Sequence, residues 1–287
     1  MALAFSREYA YGWVQLCKFR VITIYPVTAL AAVALVSNSL HNVVWPVLSI
    51  LFASIGVYMA NDVFDLELDK MNSPERPLPR GLIGIRTVEI ATVLSVVAAV
   101  AVALLSLRSL LFVALFVGLG LAYSVPPIRL RRFVMVPYLV VGVFGFSSFM
   151  TGASWVVGVD GRMVLVGLVM FAVYLGSCLT KEFKDVVGDR DKGLMTLPVV
   201  LGVNTAAKVS VTIILTVNFL LLIPYFVYRL SLVYPVGFGV LYSLLLLNGV
   251  SFLRNPADNR RARRYLLNSV MIGITQYGVM VVSALVA

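Results

Sequence analysis

Residues 43–81 read VVWPVLSILFASIGVYMANDVFDLELDKMNSPERPLPRG, and this stretch decides the fold. From Val43 to Ala60 there is no charged side chain. A helix needs roughly 20 apolar residues to cross the hydrocarbon core, because each unsatisfied backbone group in lipid is costly and a helix satisfies its own. Directly after the apolar run come Asn61, Asp62, Asp65, Glu67 and Asp69, then a proline-rich basic loop. The stretch reads as one transmembrane helix leaving the bilayer into a charged aqueous boundary.

The same pattern extends in both directions. Of 287 residues, 61% are hydrophobic and 13% charged, with mean hydropathy +0.98. Soluble domains run near half apolar and a quarter charged. The expected fold class is therefore all-α: a polytopic membrane protein of about nine transmembrane helices. The spans fall near 21–37, 43–60, 87–107, 109–124, 133–157, 162–180, 205–229, 232–253 and 265–286. Residues 1–20 mix Arg7, Glu8, Lys18 and Arg20 with aromatics and carry no signal-peptide pattern, so they are expected to form an interfacial amphipathic helix. Cys17 and Cys178 have no framework of partners and read as small apolar side chains, and His41, the sole histidine, falls in a short polar break.

Charge sets an orientation. With the N-terminus and the breaks after spans two, four, six and eight on one side, that side holds twenty of the twenty-three Lys and Arg. Only Arg108, Arg162 and Arg229 fall on the other. The positive-inside rule makes the crowded side cytoplasmic in a multi-pass cell-membrane protein. This asymmetry accounts for the net charge of +10 without nucleic acid, and membrane lipids and anionic substrates are the expected partners.

Eight of the thirteen acidic residues form two short clusters. Asp62, Asp65, Glu67 and Asp69 follow span two, and Glu182, Asp185, Asp189 and Asp191 follow span six. Four helices separate them, so both emerge on one membrane face. The whole chain, 1–287, is expected to be a single membrane domain. It divides into two four-helix halves, 21–132 and 133–253, plus a ninth helix, 265–286; each half carries an acidic helix end and then a Leu-Pro step and a glycine (Leu78-Pro79 with Gly81, Leu197-Pro198 with Gly202).

If span two continues as helix, Asn61, Asp65 and Asp69 fall at i, i+4 and i+8 and stack on one face. Bare carboxylates at that spacing repel one another, and a divalent cation removes the repulsion. Hard oxygen donors suit Mg²⁺, which binds through one or two carboxylates plus phosphate oxygens. Asp185 and Asp189 repeat the spacing within KEFKDVVGDRDKG, residues 181–193. Interleaved Lys70, Arg76, Lys181, Lys184 and Arg190 suit phosphate oxygens. A single carboxylate at a membrane boundary commonly does no more than end a span in water; two clusters of like spacing on one face ask for a partner. A metal-cation transporter is the other functional reading, but it calls for carboxylates near the bilayer midplane in broken helices.

Here the sequence resembles a known family. Asn61, Asp65 and Asp69 are similar to the N-D-x-x-D-x-x-x-D motif of the UbiA superfamily of intramembrane prenyltransferases. Its following loop is matched by Asn72, Pro74, Arg76, Pro77, Leu78, Pro79 and Gly81. Asp185, Gly188, Asp189, Arg190, Thr196, Leu197 and Pro198 resemble its second motif, and Tyr123-Ser124 through Arg132 its tyrosine-containing loop. The resemblance implies a helical bundle around a central cavity and transfer of a prenyl group from a prenyl diphosphate to a lipophilic acceptor. It implies Mg²⁺ as cofactor, held by Asn61, Asp65, Asp185 and Asp189. The carboxylates Asp65, Asp69, Asp185 and Asp189 would carry catalysis, and Arg76, Lys181, Tyr123 and Arg131 would bind the diphosphate. Tyr58, Phe64, Phe146, Phe149 and Tyr174 are candidates to steady an allylic cation.

Within the superfamily, KEFKDVVGD and NDVFDLELDKMNSP look closest to archaeal digeranylgeranylglyceryl phosphate synthases. That implies geranylgeranyl diphosphate as donor and geranylgeranylglyceryl phosphate as acceptor. Lys18-Phe19-Arg20-Val21 lacks the Arg-Pro step common in those lipid synthases, and an aromatic, quinone or chlorophyll-type acceptor stays open. The sequence leaves the oligomeric state undetermined.

Overall fold

The computed structural model describes residues 2–133, 135–184, 186 and 196–287, and among these the chain is helical with no strand. The N-terminal segment is α1 (Ala2–Cys17) and α2 (Phe19–Ile22), followed by α3 (Ile24–Ser37), α4 (Val44–Phe64) and the short α5 (Leu66–Asn72). Next come α6 (Ile85–Ala103), α7 (Leu107–Ser124), α8 (Val136–Val156) and α9 (Gly161–Cys178), which a 3₁₀ segment, Leu179–Lys184, extends. The C-terminal part holds α10 (Leu197–Leu201), α11 (Val203–Phe219), α12 (Ile223–Tyr228), α13 (Val233–Leu253) and α14 (Asn259–Leu285).

Eight helices among the described residues are long and apolar enough to cross a membrane, and the N-terminal helix with α3, bent by 43°, makes a ninth span. The protein is a multi-pass membrane protein, and every expected span has its counterpart. The bend falls at Thr23, between Ile22 and Ile24. Lys18, in a left-handed conformation at φ 49°, separates α1 from α2. Trp13, Leu16 and Cys17 pack with Leu78, Ile83 and Met59.

The bundle has an inner and an outer set of helices. Through α3, Ala29, Ala31, Ala32, Val33 and Ala34 are wholly buried. α3 packs on α8, α4 and α14. Lipid tails are as apolar as side chains, so helix association in a bilayer rests on close packing and interhelical hydrogen bonds rather than on apolar burial. Small residues permit the approach. A Cβ on Gly152 of α8 would lie 2.1 Å from the Ala29 carbonyl oxygen of α3, so only glycine fits this crossing. Polar side chains add hydrogen bonds, as where Ser109 Oγ donates to the Thr151 carbonyl at 3.1 Å. The helices α6, α13 and α14 keep most of their surface outward, where Ile90, Val97, Leu247 and Met271 are exposed for lipid.

Aromatic side chains close the centre of the inner set. Phe116 stacks on Phe144 at 4.3 Å, and Tyr25 meets both edge-on while stacking on Tyr174 at 5.4 Å. Their hydroxyls are satisfied internally: Tyr25 with Tyr58 at 3.2 Å, and Thr28 with Tyr174 at 2.6 Å. An unmade hydrogen bond in this apolar interior would be costly, so the network fixes the rings.

Candidate active site

The acidic end of α4 is not one continuous helix. α4 ends at Phe64, Asp65 takes φ −100°, ψ 3°, and α5 restarts at Leu66. Helical bonds nevertheless bridge the break, with Asp65 N–H donating to the Asn61 carbonyl at 3.0 Å and Asp69 N–H to the Asp65 carbonyl at 2.7 Å. The i, i+4, i+8 register therefore survives a local break, and Asn61 Nδ2 donates to Asp65 Oδ2 at 3.0 Å. Asn61 Nδ2 also donates to Ser124 Oγ at 3.0 Å, which ties α4 to α7. With both amide protons engaged, what Asn61 has left to offer a cation is its carbonyl oxygen.

Three aspartates here are buried and each has a basic partner. Asp62, 5% exposed, accepts from Lys18 Nζ at 2.5 Å. Asp65, 9% exposed, pairs with the Arg131 guanidinium from the loop after α7. Asp69, 8% exposed, accepts from Arg76 Nη1 at 2.6 Å. Removing one partner from a buried pair leaves an uncompensated charge, so these pairs lock the N-terminal segment, the loop after α5 and the loop after α7 onto the end of α4. Burial pushes the Asp65 carboxyl above its ordinary range, and Arg131 beside it acts in the opposite direction.

Above the aromatic centre lies a cavity of about 140 Å³ lined by Tyr58, Asn61, Tyr123, Ser124, Phe144 and Lys181. Lys181 comes from the 3₁₀ segment following α9, so spans two, four and six converge on one site. Asn61, Tyr123 and Lys181 thus line the cavity expected from sequence, with Asp65 and Arg131 bonded at its rim. Asp69 and Arg76 form their pair one turn further out. Asp185 and Asp189 lie outside the described residues, as does Arg190. Of the proposed aromatics only Tyr58 lines the cavity, while Phe64 is exposed, Phe149 is core and Phe146 packs on Phe112.

Two participants escaped the sequence reading, and a third, Glu182, has partners that it did not foresee. Lys18 reaches Asp62 and sits 5.5 Å from the Tyr58 ring centroid. Phe144 follows Val140 by four residues and Val141 by three, a face legible only once α8 is known to turn it inward. Glu182 read as part of the second acidic cluster, yet it accepts from the Tyr138 hydroxyl and, at 3.1 Å, from the Leu197 N–H that opens α10.

The donor chemistry fits a hard divalent cation. Amide and carboxylate oxygens of Asn61 and Asp65 are held on one face, with no soft donor among the cavity-lining side chains. Among the described residues no group of three or more His, Cys, Asp or Glu could hold a metal ion unaided. Mg²⁺ sites that use one or two carboxylates plus substrate phosphate oxygens have that sparse character.

The UbiA prenyltransferase family model matches residues 21–271. The chain is 32% identical over 223 residues to the digeranylgeranylglyceryl phosphate synthase of Sulfurisphaera tokodaii, covering 74% of this chain and 75% of that one. The synthase of Methanococcus aeolicus is 26% identical over 215 residues, 72% and 75% of the two chains. Among solved structures, an apo UbiA homolog from Aeropyrum pernix superposes with TM-score 0.73 at 19% identity, covering 92% of this chain and 97% of the other. A UbiA homolog from Archaeoglobus fulgidus bound to GPP and Mg²⁺ superposes with TM-score 0.60 at 16% identity, covering 91% and 98%.

Proposed function

Because the chain belongs to the UbiA prenyltransferase family, we propose that it moves a geranylgeranyl group from its diphosphate to geranylgeranylglyceryl phosphate, the second prenylation of an ether lipid. The observation that carries the site assignment is the convergence of Asn61, Tyr123 and Lys181 on one cavity, with Asp65 bonded to Asn61. The acceptor rests on likeness to relatives named as digeranylgeranylglyceryl phosphate synthases, one of them 32% identical over 223 residues.

In this reading Asn61, Asp65, Asp185 and Asp189 would hold Mg²⁺, which would supply charge neutralisation for the diphosphate leaving group. Lys181 and Tyr123 bind phosphate oxygens from the cavity wall, and Arg76 and Arg131 add charge from the rim. Asp69 positions Arg76 through their 2.6 Å bond. Tyr58 and Phe144 line the cavity and exclude water from the allylic cation. The acceptor's glycerol hydroxyl oxygen captures the cation, its proton passes to the departing diphosphate, and the diphosphate leaves toward the polar end. The basic asymmetry supports a cytoplasmic position for this end.

The deciding experiment supplies labelled geranylgeranyl diphosphate and Mg²⁺ to the purified protein in nanodiscs with a panel of acceptors. Labelled product with geranylgeranylglyceryl phosphate, and none with homogentisate, a quinone precursor or chlorophyllide, is expected. Product with one of the latter alone would move the protein to another branch of the family.

A further inference from the structure

At the end of the bundle opposite the carboxylates, a cavity of about 810 Å³ lies between the C-terminal end of α3, the connection from α8 to α9, and the end of α12. α4 runs between the two ends, and its 21 residues span about 30 Å, so this cavity is remote from the chemistry. Its size falls within the roughly 300–1,000 Å³ typical of ligand sites.

Two of the three basic residues on this side, Arg162 and Arg229, line it, beside Asp160 and Tyr228. Asp160 accepts from Met163 N–H at 2.8 Å, capping α9, and from Arg162 at 3.0 and 3.1 Å. The capping bond holds the Asp160 carboxyl below its usual range, so it stays ionised and offsets the charge of Arg162. Arg229, held at φ 51°, has no ion-pair partner among the described residues. The lining therefore carries a net charge of about +1. The Tyr228 hydroxyl is buried, within electrostatic reach of Asp160 and Arg162, and has no hydrogen-bond partner among the described residues. A buried hydroxyl in that condition favours a ligand that brings an acceptor. Asn38 adds one more polar side chain, and Leu35, Val157 and Phe226 supply an apolar part of the wall, with Phe226 73% exposed.

We propose that this cavity is a second binding site, for the monoanionic phosphodiester headgroup of a membrane lipid. The Arg229 guanidinium and Tyr228 hydroxyl hydrogen-bond its phosphate oxygens, and the apolar lip receives the first carbons of its chains. A net charge of about +1 matches a phosphodiester and not a diphosphate, which separates this ligand from the prenyl donor at the other end.

Native mass spectrometry of the detergent-solubilised full chain tests the site. The probe is phosphatidylglycerol, with a diacylglycerol of the same chains as the neutral arm and inorganic phosphate as soluble competitor. The wild type should retain phosphatidylglycerol and not diacylglycerol. Arg229→Gln should weaken retention about tenfold, the loss of one charge-assisted contact. Tyr228→Phe, an isosteric change that decides the matter if the arginine variant fails to fold, should weaken it several-fold, and both variants should keep prenyl transfer. Equal retention by wild type and Tyr228→Phe, with Arg229→Gln no weaker wherever it folds, overturns the proposal. Displacement of the lipid by inorganic phosphate at equal concentration overturns the lipid as occupant and leaves a soluble phosphate in its place.

Discussion

Asp65 carries two obligations that a substitution can separate. It pairs with Arg131, and in the proposed site it is a cation ligand. Asp65→Asn should lower turnover on the order of 10²–10³-fold or more, comparable to removing a main transition-state stabiliser, with the helical circular-dichroism spectrum unchanged. Arg131→Gln breaks the same pair but leaves the carboxylate, so it should raise KM for the prenyl diphosphate more than it lowers kcat. Equal losses of kcat in both variants would mean that the pair, and not the ligand, matters. Because burial raises the Asp65 carboxyl, protons compete with the cation over a higher pH range than for an ordinary carboxylate. The Mg²⁺ concentration for half-maximal activity should therefore rise as pH falls through the mildly acidic range, and a requirement flat with pH would contradict this. At this scale the spacing of Asn61, Asp65 and Asp69 was legible because helical periodicity is local. The Lys18 partner of Asp62, 44 residues away, was not, because tertiary folding alone brings it there.

Helix packing accounts for most of the order between elements, and Gly152 is its sharpest test. A methyl group at Gly152 meets the backbone of α3 at Ala29, and neither backbone can yield without shifting a buried helix. Gly152→Ala should cost about 1–3 kcal/mol by overpacking, read as a lower midpoint in thermal or denaturant unfolding in micelles. The same change at Gly239, inside α13 with open space around its Cβ position, should not lower the midpoint. The spans themselves were legible from uncharged run lengths, since the bilayer imposes the length. The break at Asp65 was not. A continuous helix and a locally broken one have the same i, i+4 pattern, and the choice is set by what Asp62, Asp65 and Asp69 must reach.

On the scale of the molecule, the proposed orientation, drawn from the twenty-to-three split of basic residues, has both acidic motifs on the cytoplasmic side and the C-terminus on the other. In a background without Cys17 and Cys178, Ser73→Cys should react with an impermeant maleimide only from the cytoplasmic side. A cysteine appended after Ala287 should react only from outside, and the reverse pattern would refute the proposed orientation. The bundle was legible as a whole because hydropathy and charge are properties of long segments. The central cavity was legible only in part: Lys181 and Tyr123 announced themselves by motif, whereas Phe144 looked like any span aromatic until α8 was oriented. The convergence of Asn61, Tyr123 and Lys181 is proposed as a metal-dependent diphosphate site. Binding of a non-hydrolysable geranylgeranyl diphosphate analogue to the purified protein, with and without Mg²⁺, tests it most directly. Binding should require Mg²⁺, be abolished by chelator, and weaken about tenfold to a hundredfold in Lys181→Ala and in Arg76→Ala. Failure of the wild type to bind the analogue in the presence of Mg²⁺ would contradict it.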